Sequence, residues 1–146
     1  MNGLDKALGQ PWVQALLDAP LLARLATANA RTNQPHVVPV WFEWDGEAMW
    51  ISSFNSTRKM RDLEGNPLVS VVIDIAEGGE NARGIVLEGA AEVVSDPGVV
   101  VPRSISIYER YLGVDGARAP EPASWVVDPD NRVIKLTPMR VYTWGG

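Results

Sequence analysis

Six runs rich in β-branched and aromatic residues, joined by connections of turn-type residues, set the tightest limit on how this chain can fold. Leu22 to Ala28 is mostly apolar and leads through Ala30-Arg31-Thr32-Asn33-Gln34-Pro35 into His36 to Trp44, which is the composition of a hairpin. Asp45-Gly46 supplies a tight turn before the partner strand, Ala48 to Ser53. Val69 to Ile75 and Gly84 to Val94 are the strongest β segments, separated by a loop from Ala76 to Arg83 that contains Gly78-Gly79. The first of the two is almost entirely apolar, which predicts burial on both faces. Arg132 to Trp144 reads as a final strand bent at Pro138.

Helical periodicity fills the gaps. Trp12, Val13, Leu16 and Leu17 recur at helical spacing between Pro11 and Leu22, and Pro20 ends that pattern. Ser56-Thr57 has the chemistry of a helix N-cap, followed by Arg58 to Leu63 and a stop at Gly65-Asn66-Pro67. Ile105, Ile107, Tyr108 and Tyr111 suggest a further helix within Val99 to Leu112, whereas Gly113 to Pro122 has loop composition. The strands fall into antiparallel neighbours with helices inserted between them, not after every strand. That order predicts a mainly β, helix-decorated (α+β) antiparallel barrel and argues against a doubly wound parallel sheet. With 146 residues, 46% of them apolar, the expected organisation is a single domain spanning 1–146.

Composition removes several function classes. The absence of cysteine excludes disulfides, thiolate nucleophiles and Cys-ligated metal centres. His36 is the single histidine, so no multi-histidine metal site can form; it reads as a strand-start surface residue, with room for at most one axial ligand. No metal site is expected. A net charge of -5 opposes non-specific attraction to nucleic acid or anionic lipid. Apolar stretches fall far short of the roughly 20 residues needed to cross a bilayer. Met1 to Gln10 lacks a basic start and an apolar run, so a cytoplasmic location is expected.

A family pattern runs through these elements. Leu25-Ala26-Thr27, Pro35-His36-Val37-Val38-Pro39-Val40-Trp41-Phe42, Ser53 with Thr57-Arg58-Lys59, Asn66-Pro67-Leu68-Val69-Ser70 and Leu87-Glu88-Gly89-Ala90-Ala91-Glu92-Val93 occur in that order, followed by Arg132-Val133, Pro138 and Trp144. In order and spacing they resemble the pyridoxamine 5'-phosphate oxidase-like, FMN-binding split β-barrels. The resemblance implies a six-stranded split barrel, a homodimer with the cofactor in a groove between two barrels, and a flavin or deazaflavin as that cofactor: FMN, or alternatively F420.

The physical chemistry of Thr57-Arg58-Lys59 stands beside that likeness. A hydroxyl at a helix N-terminus, free backbone N–H groups and two cations form an arrangement that stabilises a phosphate. The same residues also suit a solvated helix start. By resemblance Val38, Pro39, Val40 and Trp41 lie along the flavin ring, and Ser53 reaches the ring or the ribityl chain. As plain residues, the first four are an ordinary strand and Ser53 is a strand-end hydroxyl satisfied locally. No side-chain nucleophile or acid–base pair stands out, so no catalytic residue is assigned; hydride transfer on a flavin requires none.

Two departures from the vitamin B6 enzymes matter. Those oxidases carry a basic residue where this chain has Phe42, and an Arg-x-His motif beyond the last strand where this chain has Trp144-Gly145-Gly146. Oxidation of pyridoxamine phosphate itself is therefore not expected. The expectation is an oxidoreductase acting on an unknown small molecule, with a deazaflavin-dependent reductase or a non-catalytic flavin-binding or sensor module as the alternatives.

Overall fold

The computed structural model describes residues 3–76 and 81–146, so the Gly78-Gly79 part of the expected loop lies outside the described residues. Two short helices, α1 (Gly3–Leu8) and α2 (Pro11–Asp18), precede the hairpin of β1 (Ala23–Ala28) and β2 (Pro35–Val40). Next come β3 (Phe42–Trp44), β4 (Met49–Phe54), α3 (Arg58–Gly65), β5 (Leu68–Ile75) and β6 (Arg83–Val94). The chain continues through α4 (Pro97–Ala117) and α5 (Pro120–Val126) to β7 (Asn131–Trp144).

All the strands join one curled antiparallel sheet in the order β2-β1-β5-β6-β7-β4-β3. This is the architecture of a split barrel, with seven strands among the described residues where the sequence suggested six. The difference lies at Trp41. The run His36 to Trp44 does not continue as one strand: Val40 pairs with Ala23 of β1, whereas Phe42 pairs with Ile51 of β4. Trp41 turns the corner between the two outermost strands, so one segment of sequence serves both edges of the sheet.

The main core lies inside the curl and includes Val13, Leu17, Leu25, Phe42, Met49, Ile51, Ile73, Ile85, Leu87 and Leu136. A second cluster, with Trp50, Val100, Ile107, Tyr108, Val126 and Val133, lies between the outer face of the β4–β7 pair and α4 and α5. β4 is accordingly buried on both faces, Met49 and Ile51 against one cluster and Trp50 against the other. β5 is not, contrary to expectation. Val69, Val71 and Ile73 are buried while Leu68 and Asp74 are exposed, because nothing among the described residues covers its second face.

The bend at Pro138 is a β-bulge: Glu88 pairs with Arg140 and Gly89 with Pro138, which leaves Met139 as the extra residue. A Cβ on Gly89 would stand 2.2 Å from the Thr137 carbonyl oxygen, so only glycine fits opposite the bulge. α5 begins inside the Gly113 to Pro122 stretch that was expected to be loop. Its prolines occupy the first turn, where a missing N–H costs nothing. α4 extends to Ala117 with a break at Gly113, whose φ of 76° suits glycine.

Candidate functional site

The end of β4, the turn into α3, the Trp41 corner and the two helices α4 and α5 converge on one cleft. Its walls are Trp41, Ser52, Ser53, Phe54, Thr57, Lys59, Tyr108 and Trp125, around about 210 Å³ of space. Four residues singled out in the sequence meet here: Trp41, Ser53, Thr57 and Lys59. The other four do not line it. Val38 and Val40 turn towards the main core, Pro39 is exposed between them, and Arg58 is exposed on the first turn of α3. β2 is nevertheless an outer strand, and among the described residues it pairs only with β1, so backbone groups along its open side have no strand partner there.

Thr57 occupies the N-cap position of α3 with extended backbone, but its hydroxyl makes no capping bond. It donates instead to the Phe54 carbonyl at 2.9 Å. The first turn of α3 therefore has no capping bond from Thr57; just before it the Ser56 N–H and hydroxyl donate to Asp130 Oδ2, and Thr57 and Lys59 bring the start of the helix to the cleft wall. Ser53 Oγ lies 3.4 Å from Thr57 Oγ1, so the two hydroxyls form one polar rim.

Lys59 is the cation of this rim. Its ammonium donates to Thr57 Oγ1 at 3.3 Å, and among the described residues no carboxylate stands within ion-pair distance of it. Burial pushes its pKa below the ordinary lysine value, with no compensating charge to raise it again. A desolvated cation without a counter-ion favours an incoming anion.

The opposite wall is aromatic. Trp41 meets Tyr108 edge-on, with ring centroids 6.1 Å apart at 73°, and Tyr108 meets Trp125 in the same manner at 5.7 Å and 85°. Burial raises the Tyr108 phenol, partly offset by its hydrogen bond with Ser104, so the hydroxyl stays neutral. Tyr108 and Trp125 were missed in the sequence. They come from α4 and α5, and helical periodicity does not say which outer strand a helix will cover.

The set suits a ligand with a flat apolar part and an anionic end: indole and phenol edges for the first, Lys59, two or three hydroxyls and the α3 N-terminus for the second. At about 210 Å³ the cleft is smaller than the 300 Å³ or more that usually encloses a drug-sized ligand, so it holds part of such a molecule and leaves the rest outside this chain's walls.

Solved structures share the fold. A conserved hypothetical protein from Mycobacterium tuberculosis superposes with a TM-score of 0.81 at 22% identity, over 94% of this chain and 84% of that one. An F420 reductase gives 0.71 at 24% identity over 97% and 98% of the two chains. General Stress Protein 26 from Bacillus anthracis str. Sterne gives 0.67 at 20% identity over 89% and 88%. None of the curated proteins matches the chain. The family described as pyridoxamine 5'-phosphate oxidase matches residues 10–145, nearly the whole sequence and every strand of the sheet. The chain belongs to the pyridoxamine 5'-phosphate oxidase family.

Proposed function

We propose that this protein is an FMN-binding oxidoreductase acting on a small molecule, with residues 1–146 as one flavin-binding domain in a cytoplasmic homodimer. The observation that carries this reading is Lys59: a desolvated ammonium with only a hydroxyl for a partner, at the polar end of an aromatic-walled cleft. In this assignment Lys59, Thr57 and the first turn of α3 bind the phosphate, with Arg58 adding charge from outside the cleft. Trp41 presents its indole to the ring, Ser53 reaches the ribityl chain, and Val38, Pro39 and Val40 contribute through the open backbone edge of β2. Bound flavin supplies the hydride chemistry. The protein's part is to orient the ring, exclude water and hold the phosphate.

The size of the cleft supports a second copy. One chain encloses only part of a mononucleotide, and the outer face of β5 and β6 carries a hollow of about 380 Å³ lined by Ala26, Leu68, Ser70, Glu88, Met139 and others. Leu68 and Met139 are each 57% exposed there, an apolar surface suited to a two-fold contact.

The deazaflavin F420 is the second reading, favoured by the likeness to an F420 reductase over 97% of this chain. Among the described residues no carboxylate or histidine lines the cleft, which suits a reaction carried by the cofactor and equally a module that only stores or senses it. No helix among the described residues is long and apolar enough to cross a membrane.

The test is spectroscopic titration of purified protein with FMN and with F420. Tight saturable binding of FMN supports the first reading and selective binding of F420 the second. Failure to bind either removes both.

A further inference from the structure

The corner at Trp41 opens a gap in backbone pairing, because β3 is an outer strand and the open side of Phe42 faces no neighbour in the sheet. Two consecutive residues of α4 fill it. The Phe42 N–H donates to the Tyr111 hydroxyl at 3.1 Å, and the Phe42 carbonyl accepts from Arg110 Nε at 2.9 Å. The same hydroxyl donates to the Leu21 carbonyl at 2.7 Å, and the other arms of Arg110 donate to the carbonyls of Asp18 at 3.2 Å and Ala19 at 3.0 Å. The corner is thereby tied to the connection between α2 and β1.

The Tyr111 ring also sets the plane of its neighbour. It stacks on Trp41 with centroids 5.0 Å apart and planes 5° from parallel. A parallel stack fixes the height and tilt of the indole, and a ring whose hydroxyl is bonded on both sides cannot slide. Tyr111 does not line the cleft, whereas Trp41 does. Burial raises the Tyr111 phenol, which keeps it a neutral donor and acceptor through the working pH range.

We propose that Tyr111, assisted by Arg110, is a positioning residue that holds the Trp41 indole in its place on the cleft wall, so that α4 and not the barrel alone determines where a planar ligand can lie. The effect on ligand affinity rests on the flavin reading above; the effect on Trp41 does not.

The experiment replaces Tyr111 by Phe, which keeps the stacked ring and removes every hydrogen bond of the hydroxyl, including its longer contact with the Phe42 carbonyl at 3.4 Å. Near-ultraviolet circular dichroism of the apo protein, compared with that of Trp41→Phe, isolates the Trp41 band; the comparison is repeated in the Tyr111→Phe background. Positioning predicts that the Trp41 band weakens and that FMN binds about fivefold to tenfold less tightly. In a Trp41→Ala background Tyr111→Phe should cost no further affinity, because its action passes through the missing indole. An unchanged Trp41 band, with affinity within about twofold of wild type, overturns the proposal, as do losses that add independently. If wild type binds neither FMN nor F420, the flavin reading falls and the Trp41 band alone decides. Should Tyr111→Phe not fold, Arg110→Lys, which loses the guanidinium fork around Phe42 but keeps the charge, is judged by the same criteria.

Discussion

Lys59 Nζ donates to Thr57 Oγ1 across 3.3 Å, and that hydroxyl in turn gives its proton to the Phe54 carbonyl at 2.9 Å. The chain of donors ends on backbone, not on a carboxylate, so the positive charge of Lys59 is left for a ligand. Removing it should weaken FMN about tenfold to a hundredfold, by loss of a charge-assisted contact, and leave riboflavin almost untouched. Arg58→Ala should cost less, since Arg58 is exposed and lies off the cleft wall. Fluorescence titration of Lys59→Met and Arg58→Ala with both flavins checks the order. Equal losses for riboflavin and FMN would show that the segment is only a helix start.

Burial holds the Lys59 pKa below its usual 10.5, and the sign of the linkage follows. The unfolded chain binds this proton more tightly than the native one, so the native state carries the full cost of the buried charge at low pH and loses it as pH rises towards 10.5. Apo stability relative to Lys59→Met should therefore increase with pH in that alkaline window. Phosphate binding runs the other way. The preference for FMN over riboflavin should be flat above the second phosphate ionisation, near 6, and decline as Lys59 deprotonates. Urea melts and paired titrations between neutral and alkaline pH measure both slopes.

Thr27 Oγ1 donates to Asp62 Oδ2 at 2.8 Å, and both residues are only 3% exposed. The bond joins β1 to the helix that carries Lys59. Thr27→Val keeps the shape and strands a buried carboxylate, which should cost about 1.5–3 kcal/mol in a denaturation experiment. A loss near zero would mean that Asp62 finds other partners.

Leu68 and Met139 lie on the same exposed hollow, each 57% exposed, and together form an apolar surface. If two copies meet there, Leu68→Asp combined with Met139→Asp should give a 15.9 kDa monomer by sedimentation at micromolar concentration, while the isolated fold survives. A dimer unaffected by both charges places the contact elsewhere.

The strands were legible because alternation, turn residues and β-branched content all point one way, as in Ala48 to Ser53 and Gly84 to Val94. The break at Trp41 was not, since a continuous apolar run carries no mark of a corner; the partners that make the corner, Arg110 and Tyr111, stand 68 and 69 residues from Phe42. Gly113 to Pro122 has loop composition, yet Pro120 and Pro122 sit in the first turn of α5, where a proline interrupts nothing. In the cleft, the local signal of Thr57 and Lys59 could be read directly, whereas Tyr108 and Trp125 arrive by tertiary packing. β5 is a different case. Its composition implied two covered faces, and among the described residues of one chain only one is covered.

Trp41 has a consequence for how the protein can vary. Its neighbours on either side belong to strands at opposite ends of the sheet order. A residue inserted elsewhere between strands lengthens a loop; one inserted here lengthens the perimeter of a ring. The curl would have to widen or shear to accept it, and every layer of side chains inside would be refitted at once. The seam thus resists extension in a way the loops do not, and one wall of the cleft, Trp41, has been placed on it.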